Sequence, residues 1–191
     1  MVATLDQAQR TAIATKLADM KILQNLMISN EQKLLAACRS DEEIRDRLED
    51  MLEDDQENLR TIDQAIAKFG TSSDAQEQTK RLVETIEGIM AGNELDLYEK
   101  AMQHEGLKHQ LVMSGLLVHK AAQVAGDDLE KTIDPINKVN FKNRAHQEQL
   151  KGIIYKLGTR ELVGKEPDQS IWASAEDAIA ALKGIFGGLT D

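Results

Sequence analysis

Apolar residues recur at every third or fourth position along most of the chain, which is the spacing of helices that bury one face. Thr4 with Gln7 has the spacing of a capping box and marks the first helix start. Ser40 with Glu43 does the same for the second helix, and Gly70 is placed to end it. The predicted helices cover about 4–38, 40–70, 74–91, 94–125, 135–157 and 174–187.

The predicted helix over 94–125 differs from the others because apolar residues lie on nearly all its sides. A helix with so few polar faces is expected to be largely buried. The apolar residues that lead to this prediction are Leu107, Leu111, Val112, Met113, Leu116, Leu117 and Val118.

The character of the chain changes after Gly158, where Gly164 to Pro167 reads as a loop. We therefore predict a helical bundle domain over 1–160, followed over 161–191 by a linker and a C-terminal amphipathic helix. The simplest interpretation of this tail is that it packs on the bundle or on a second subunit, and docking on a membrane or a protein partner is the alternative. Its predicted apolar side consists of Ile179, Leu182, Ile185 and Phe186.

Each of the four long helices carries polar residues within its apolar stripe. A buried carboxylate, amide or imidazole must find a hydrogen-bond partner or a metal, because leaving it unsatisfied costs about 1–3 kcal/mol. Side chains spaced by three or four residues share one helix face, and a hairpin of the last two long helices would bring their polar residues together. The interruptions are Glu31; Asp55 with Asn58; Glu105 with His109; and Asn143 with His146.

Two interpretations of these interruptions remain beside a metal site. They could pair across the bundle, for example Glu105 with His146, and set the helix register, or they could line a cavity for a small ligand. Counting from a turn at 39–40 places Glu31 about 10 Å along the axis from the level of Asp55, which argues against a shared ion. His104 and His119 do not line up with the interruptions and are predicted at the surface or a helix edge.

Composition and charge narrow the class of protein. Hydrophobic residues make up 41% and aromatic residues 3%, with two prolines, which is typical of an all-α protein. The net charge of −10 argues against a nucleic-acid partner or an anionic membrane surface. The single cysteine, Cys38, and the absence of a signal segment or a long apolar run predict a cytoplasmic protein without a transmembrane segment.

Three segments resemble the ferritin-like superfamily, and within it the bacterial YciF-type proteins. They are SNEQKLLAAC over 29–38, LEDMLEDDQENL over 48–59 and AHQEQL over 145–150. The resemblance implies an antiparallel ferritin-like four-helix bundle with an extra short helix. It also implies ligands at Glu31, Asp55, Glu105 and His146, with Asn58 and Asn143 in place of the usual His and Glu.

Two functions follow as hypotheses. The first is a ferritin-like metal-binding protein related to iron or stress, with iron or another divalent metal as its cofactor, or none. The alternative is a metal-free helical scaffold or interaction protein that acts through its acidic surface and C-terminal helix. A homodimer is expected in either case, and the sequence leaves open whether the protein is an enzyme. The candidate metal ligands are Glu31, Asp55, Glu105, His109 and His146.

Overall fold

The computed structural model describes residues 5–187, and over that range the chain is all-α, as predicted. The helices of the described range are α1 (Gln7–Ala37), α2 (Glu42–Phe69), α3 (Glu77–Ala91), α4 (Leu97–Ala125), α5 (Asp127–Ile133), α6 (Ile136–Val163) and α7 (Ser170–Gly187). Within this range, no helix is both long and apolar enough to cross a membrane.

The four long helices, α1, α2, α4 and α6, surround one core. α1 packs on α2 and α4, and α6 packs on the same two helices from the other side. Pairs of contacts show the direction of neighbours. Lys138 and Lys156 of α6 contact Glu57 and Glu43 of α2 in opposite chain order, at 2.9 and 2.7 Å. Contacts between α4 and α6 run in opposite order as well, and the short connection 38–41 makes α1 and α2 a hairpin. Neighbouring long helices are therefore antiparallel, and α2 reaches α4 through the connection that contains α3.

Side-chain caps set the helix starts. Asp6 caps α1 in a capping box with Gln9, while the predicted start at Thr4 lies outside the described residues. The predicted cap at Ser40 is wrong, because the Asp41 carboxylate accepts the hydrogen bond from the Ile44 amide at 3.1 Å. A carboxylate at this position also lies favourably at the positive end of the helix dipole.

The prediction that α4 is largely buried is only partly right. Met113 and Leu117 are exposed, and the opposite side of the helix faces the core. Near its middle, Gly115 allows α6 to approach so closely that a Cβ there would overlap the Asn140 side chain. Leu107 and Val112 are also buried, at the edges of the side that faces the core. The line of residues along the centre of that side, called the inner seam, consists of Ala101, His104, Lys108, Leu111, Gly115, Val118 and Ala122.

The C-terminal helix α7 packs on α6. Trp172 is buried against Gly152, where a Cβ would overlap the indole ring. Arg47 of α2 lies over the same ring, 4.1 Å from its centroid. The tail thus packs on the bundle, whereas the side chains of Ile185 and Phe186, which belong to its predicted apolar side, lie outside the part of the chain whose side chains are described. α6 runs to Val163, across the predicted boundary at 160, and the division into two domains stays a prediction.

Candidate functional site: a buried lysine cluster

The centre of the bundle holds a lysine whose side chain has no exposed surface. The Lys108 Nζ atom lies 2.7 Å from Glu31 Oε1, 2.5 Å from Asp55 Oδ2 and 3.0 Å from His146 Nδ1. An ammonium group has three N–H donors, so these three acceptors satisfy it completely. We call Lys108, Glu31, Asp55 and His146 the lysine cluster.

Burial and charge act in opposite directions on this lysine. Burial alone lowers the pKa of Lys108, but the negative charges of Asp55 and Glu31 outweigh it and hold that pKa above its usual value. Burial alone would raise the pKa of Asp55, but the positive charge of the Lys108 ammonium outweighs burial and lowers that pKa. Lys108 and Asp55 therefore both stay charged because each has an oppositely charged neighbour, as a buried ion pair requires.

His146 links the cluster to the protein surface. Because its Nδ1 accepts from Lys108, we assign the ring proton to Nε2, which donates to Asp54 Oδ2 at 3.2 Å. This hydrogen bond lowers the pKa of Asp54 to about 2, burial opposes the shift, and Lys142 adds to it. Lys142 contacts both Asp54, at 2.6 Å, and Glu57, at 2.5 Å. A row of charged groups of alternating sign therefore leads from His146 to the solvent.

His104 lies in the core and not at a helix edge, so that prediction is wrong. Its Nε2 atom is 3.1 Å from Glu31 Oε1, and it shares the inner seam of α4 with Lys108, one turn away. His119 does lie towards the surface, where it is hydrogen-bonded to Asn137.

The structure brings together three of the five predicted metal ligands. Glu31, Asp55 and His146 each place one ligand atom within 4.8 Å of the others. The expected axial separation of Glu31 and Asp55 is therefore wrong. The position of the ion pair between Lys21 and Asp63 shows the reason, because it marks an α1–α2 register that lies about a turn away from the register counted from the sequence.

The other two predicted ligands lie away from the cluster. Glu105 is half-buried and accepts a hydrogen bond from Gln147 Nε2 at 2.7 Å. His109 is exposed. The two asparagines support local structure, since Asn58 donates to Asp55 Oδ1 and Asn143 donates to the Val139 carbonyl.

The donor set does not fit a metal in this arrangement. The positive charge among Glu31, Asp55 and His146 is the ammonium of Lys108, at hydrogen-bond distance from all three. A cation there would have to displace that ammonium or repel it at short range. In this arrangement the ammonium of Lys108 neutralises the buried carboxylates of Glu31 and Asp55. The site therefore gives no support to the predicted iron or other divalent cofactor.

Sequence reasoning missed Lys108, although the sequence contains a signal for it. The inner seam has spacings of three and four residues throughout, with His104 and Lys108 among apolar residues. The outward-facing line through Met102, Glu105 and His109 has the same kind of spacing, so spacing alone does not show which side of α4 faces the core.

The lysine cluster is closed to large molecules. Glu31, Asp55 and Lys108 have 0% exposed surface, and His146 has 3%. A large ligand therefore cannot reach the cluster while the helices are packed. The accessible end of the charge chain is at Asp54 and Glu57, where both carboxylates are already paired with Lys142.

Comparison with known proteins gives one informative relative. No family model matches the chain, and no solved structure matches it. A DNA nickase of Nostoc sp. (strain PCC 7120 / SAG 25.82 / UTEX 2576) is 50% identical over 187 residues, which is 98% of this chain and 53% of that protein. The chain thus spans about half the length of the curated relative that it matches.

This relative corrects the functional prediction. Its name points to DNA and contradicts the prediction of a metal-binding protein related to iron or stress. The name does not support the alternative of a metal-free scaffold either, and it conflicts with the expected absence of a nucleic-acid partner. It does not bear on the resemblance to ferritin-like proteins, which stays a prediction.

Proposed function

We propose that this chain takes part in the nicking of DNA, as the helical domain of a DNA-nicking protein. The observation that carries the proposal is the 50% identity to the Nostoc DNA nickase across 98% of the chain. Identity of that extent spans every helix of the bundle, so it concerns the whole described fold and not one motif.

The burial of the lysine cluster supports the proposal that the cluster does not itself cleave DNA. Cleavage of a phosphodiester needs a nucleophile and groups that stabilise the developing charge, all in contact with the phosphate. The lysine cluster is sealed, and both ring nitrogens of His146 are engaged. We therefore place the cleavage chemistry outside the cluster, in the part of a nicking protein that corresponds to the unmatched half of the relative.

The surface charge supports the placement of the main DNA contacts outside this domain. The net charge is −10, and acidic residues outnumber basic ones along α2. Such a surface repels the phosphate backbone, which normally supplies most of the affinity of a DNA-binding protein. We propose that the main DNA contacts are also made by other parts of a nicking protein, while this domain supports them.

For the fold, we propose a ferritin-like arrangement of the bundle. The support is the connectivity, in which two antiparallel pairs, α1 with α2 and α4 with α6, are joined by one long connection that contains α3. A single long crossover is the connection pattern of ferritin-like bundles. This similarity concerns the fold alone and carries no metal chemistry.

A domain exchange tests the proposed function. The matched segment of the Nostoc nickase is replaced by this chain, and conversion of supercoiled plasmid to open circles is measured by gel electrophoresis. We expect the chimera to nick the plasmid at a rate within about tenfold of the parent, a difference of about 1.4 kcal/mol in the barrier. This chain alone is expected to leave the plasmid supercoiled.

One control variant accompanies the exchange, and two results would contradict the proposal. A chimera that carries Lys151→Met, a change in an exposed ion pair with Glu148, should nick like the unmodified chimera. A chimera that folds, as judged by circular dichroism, but does not nick would overturn the proposed function. Nicking by the chain alone would overturn the placement of the chemistry outside this domain.

A further inference from the structure

The side of α4 opposite the inner seam carries an exposed apolar stripe. A helix at the surface of a bundle is expected to be polar on its outer side, yet four large apolar side chains of this stripe are 50–83% exposed. Within the described residues, no other helix packs over them. The stripe, called the outer stripe below, consists of Met102, Gly106, His109, Met113, Leu117, Lys120 and Val124.

The spacing between residues of the outer stripe is the same in both chain directions. Its successive spacings are 4, 3, 4, 4, 3 and 4 residues, with Met113 at the centre. An antiparallel pair of identical helices related by a twofold axis at Met113 would therefore bring stripe against stripe along its whole length. Met102 would face Val124 of the second copy, and Gly106 would face Lys120. Such self-complementarity is what an isologous interface requires.

Charge supports the same register. Glu105 lies beside the outer stripe on the flank where Lys120 of the second copy would arrive, one residue from its level. The twofold axis would create this Glu105–Lys120 pair twice. Gly106, which has nothing within 4 Å of an added Cβ, leaves room for the long lysine side chain to cross.

We propose that the outer stripe of α4 is the surface through which two copies of this chain associate, antiparallel about Met113. The stripe covers the 23 residues from Met102 to Val124, and its ends are about 33 Å apart at about 1.5 Å per residue. One helix pair of this length gives an interface at the low end of the range for stable complexes, which bury about 800 Å² per partner. The dimer is consequently reversible and depends on concentration. This inference is independent of the proposed function.

The first experiment measures the mass of the full chain by sedimentation equilibrium over a concentration series. We expect a monomer–dimer equilibrium that Leu117→Glu weakens by at least about 100-fold. Tyr155→Glu is the matched control, because Tyr155 is 56% exposed on α6, outside the outer stripe, whereas Leu117 is 60% exposed. Lys120→Glu should weaken the dimer, and Glu105→Lys together with Lys120→Glu should restore it.

The second experiment tests the register by disulfide formation. Met113→Cys places two thiols at the twofold axis, and helices about 8–10 Å apart bring their Cα atoms within disulfide range. Met102→Cys is equally exposed, but the two copies of that residue would lie about 33 Å apart at 1.5 Å per residue. We expect rapid cross-linking of the first variant only. Cys38 is buried and common to both.

Three results would overturn the inference. One is a chain that stays monomeric at the highest concentration, with no cross-linking of Met113→Cys. Another is a dimer that Tyr155→Glu disrupts and Leu117→Glu does not. The third is equal cross-linking of the two cysteine variants, which would indicate random collision. Circular dichroism of each variant verifies that the fold is kept.

Discussion

At the scale of single residues, Lys108 acts as an internal counter-ion for the bundle. Two carboxylates without exposed surface, Glu31 and Asp55, share its ammonium, and His146 accepts the third hydrogen bond. Removing one member of a buried charge group leaves the remaining charges without compensation, which costs far more than losing an exposed pair. The cluster therefore makes the packing of four helices depend on one side chain.

The first prediction concerns Lys108→Met, which keeps the apolar length and removes the charge. Two buried carboxylates then lose their counter-ion, and we expect the free energy of unfolding to fall by about 3–5 kcal/mol. Urea denaturation followed by circular dichroism measures the change. The control Lys151→Met removes an exposed lysine and should cost less than about 1 kcal/mol.

A rescue variant separates lost charge compensation from lost packing. Adding Glu31→Gln and Asp55→Asn to Lys108→Met makes all three side chains neutral and should recover part of the lost stability. A triple variant less stable than Lys108→Met alone would show that the cluster does not work by charge neutralisation.

The second prediction concerns acid stability. The pKa of Asp54 is lowered from 3.8 to about 2 in the folded protein, mainly by the hydrogen bond from His146. Because the folded pKa lies below the unfolded one, the stabilisation is present above pH 3.8 and is lost as the pH falls towards 2. Asp54→Asn should therefore be less stable than the natural chain at pH 7 and show a shallower loss between pH 5 and pH 2.

Urea midpoints measured at several pH values provide this comparison. The two curves should converge at the acidic end, where the Asp54 carboxylate of the natural chain is protonated as well. Parallel curves over the whole range would show that Asp54 is not responsible for the acid sensitivity. Glu166→Gln, a change in an exposed ion pair, serves as the control.

At the scale of helices, the docking of α7 depends on a glycine. The Trp172 ring fills the space above Gly152, and Arg47 of α2 covers the ring. Glu176 of α7 forms an ion pair with the same arginine at 3.5 Å. One aromatic side chain thus joins α7 to both α6 and α2.

The third prediction follows from this contact. Gly152→Ala places a methyl group against the indole ring, so α7 should be displaced even though alanine favours the helix by about 1 kcal/mol. Trp172 is the single tryptophan of the chain, and its fluorescence should shift to the red as the ring enters water. The control Gly88→Ala adds the same methyl where nothing lies within 4 Å, and its spectrum should not change.

At the scale of the whole molecule, charge is divided between helices. Acidic residues predominate on α2 and basic residues on α6, and pairs such as Lys142 with Asp54 join the two helices. Several basic side chains of α6 are therefore already neutralised within the fold. The outer surface keeps the acidic excess that gives a net charge of −10.

The fourth prediction is that this chain alone does not bind duplex DNA at physiological salt, because its surface repels phosphate. Electrophoretic mobility shift with a labelled duplex measures this, with the chimeric nickase as the positive control. Glu49→Gln combined with Glu53→Gln reduces the exposed negative charge of α2, and any weak binding at low salt should rise in this variant. A salt-resistant complex of the natural chain would contradict the prediction.

The sequence alone determined the helical class, most helix positions and the acidic surface. These properties depend on local spacing, composition and helix ends, such as the end of α2 at Gly70, where φ is 68°. The side of α4 that faces the core could not be read in this way. Both sides have helical spacing and apolar residues, so neighbouring helices decided between them.

The tertiary structure also decided the site. Glu31, Asp55 and His146 were identifiable as polar residues on apolar stripes, but their convergence depends on the register between helices. That register arises from core packing between residues distant in the sequence, and surface pairs such as Lys21 with Asp63 only mark it. The role of Lys108 as the shared partner emerged only with that register, because a lysine is expected in water unless several acceptors surround it in the core.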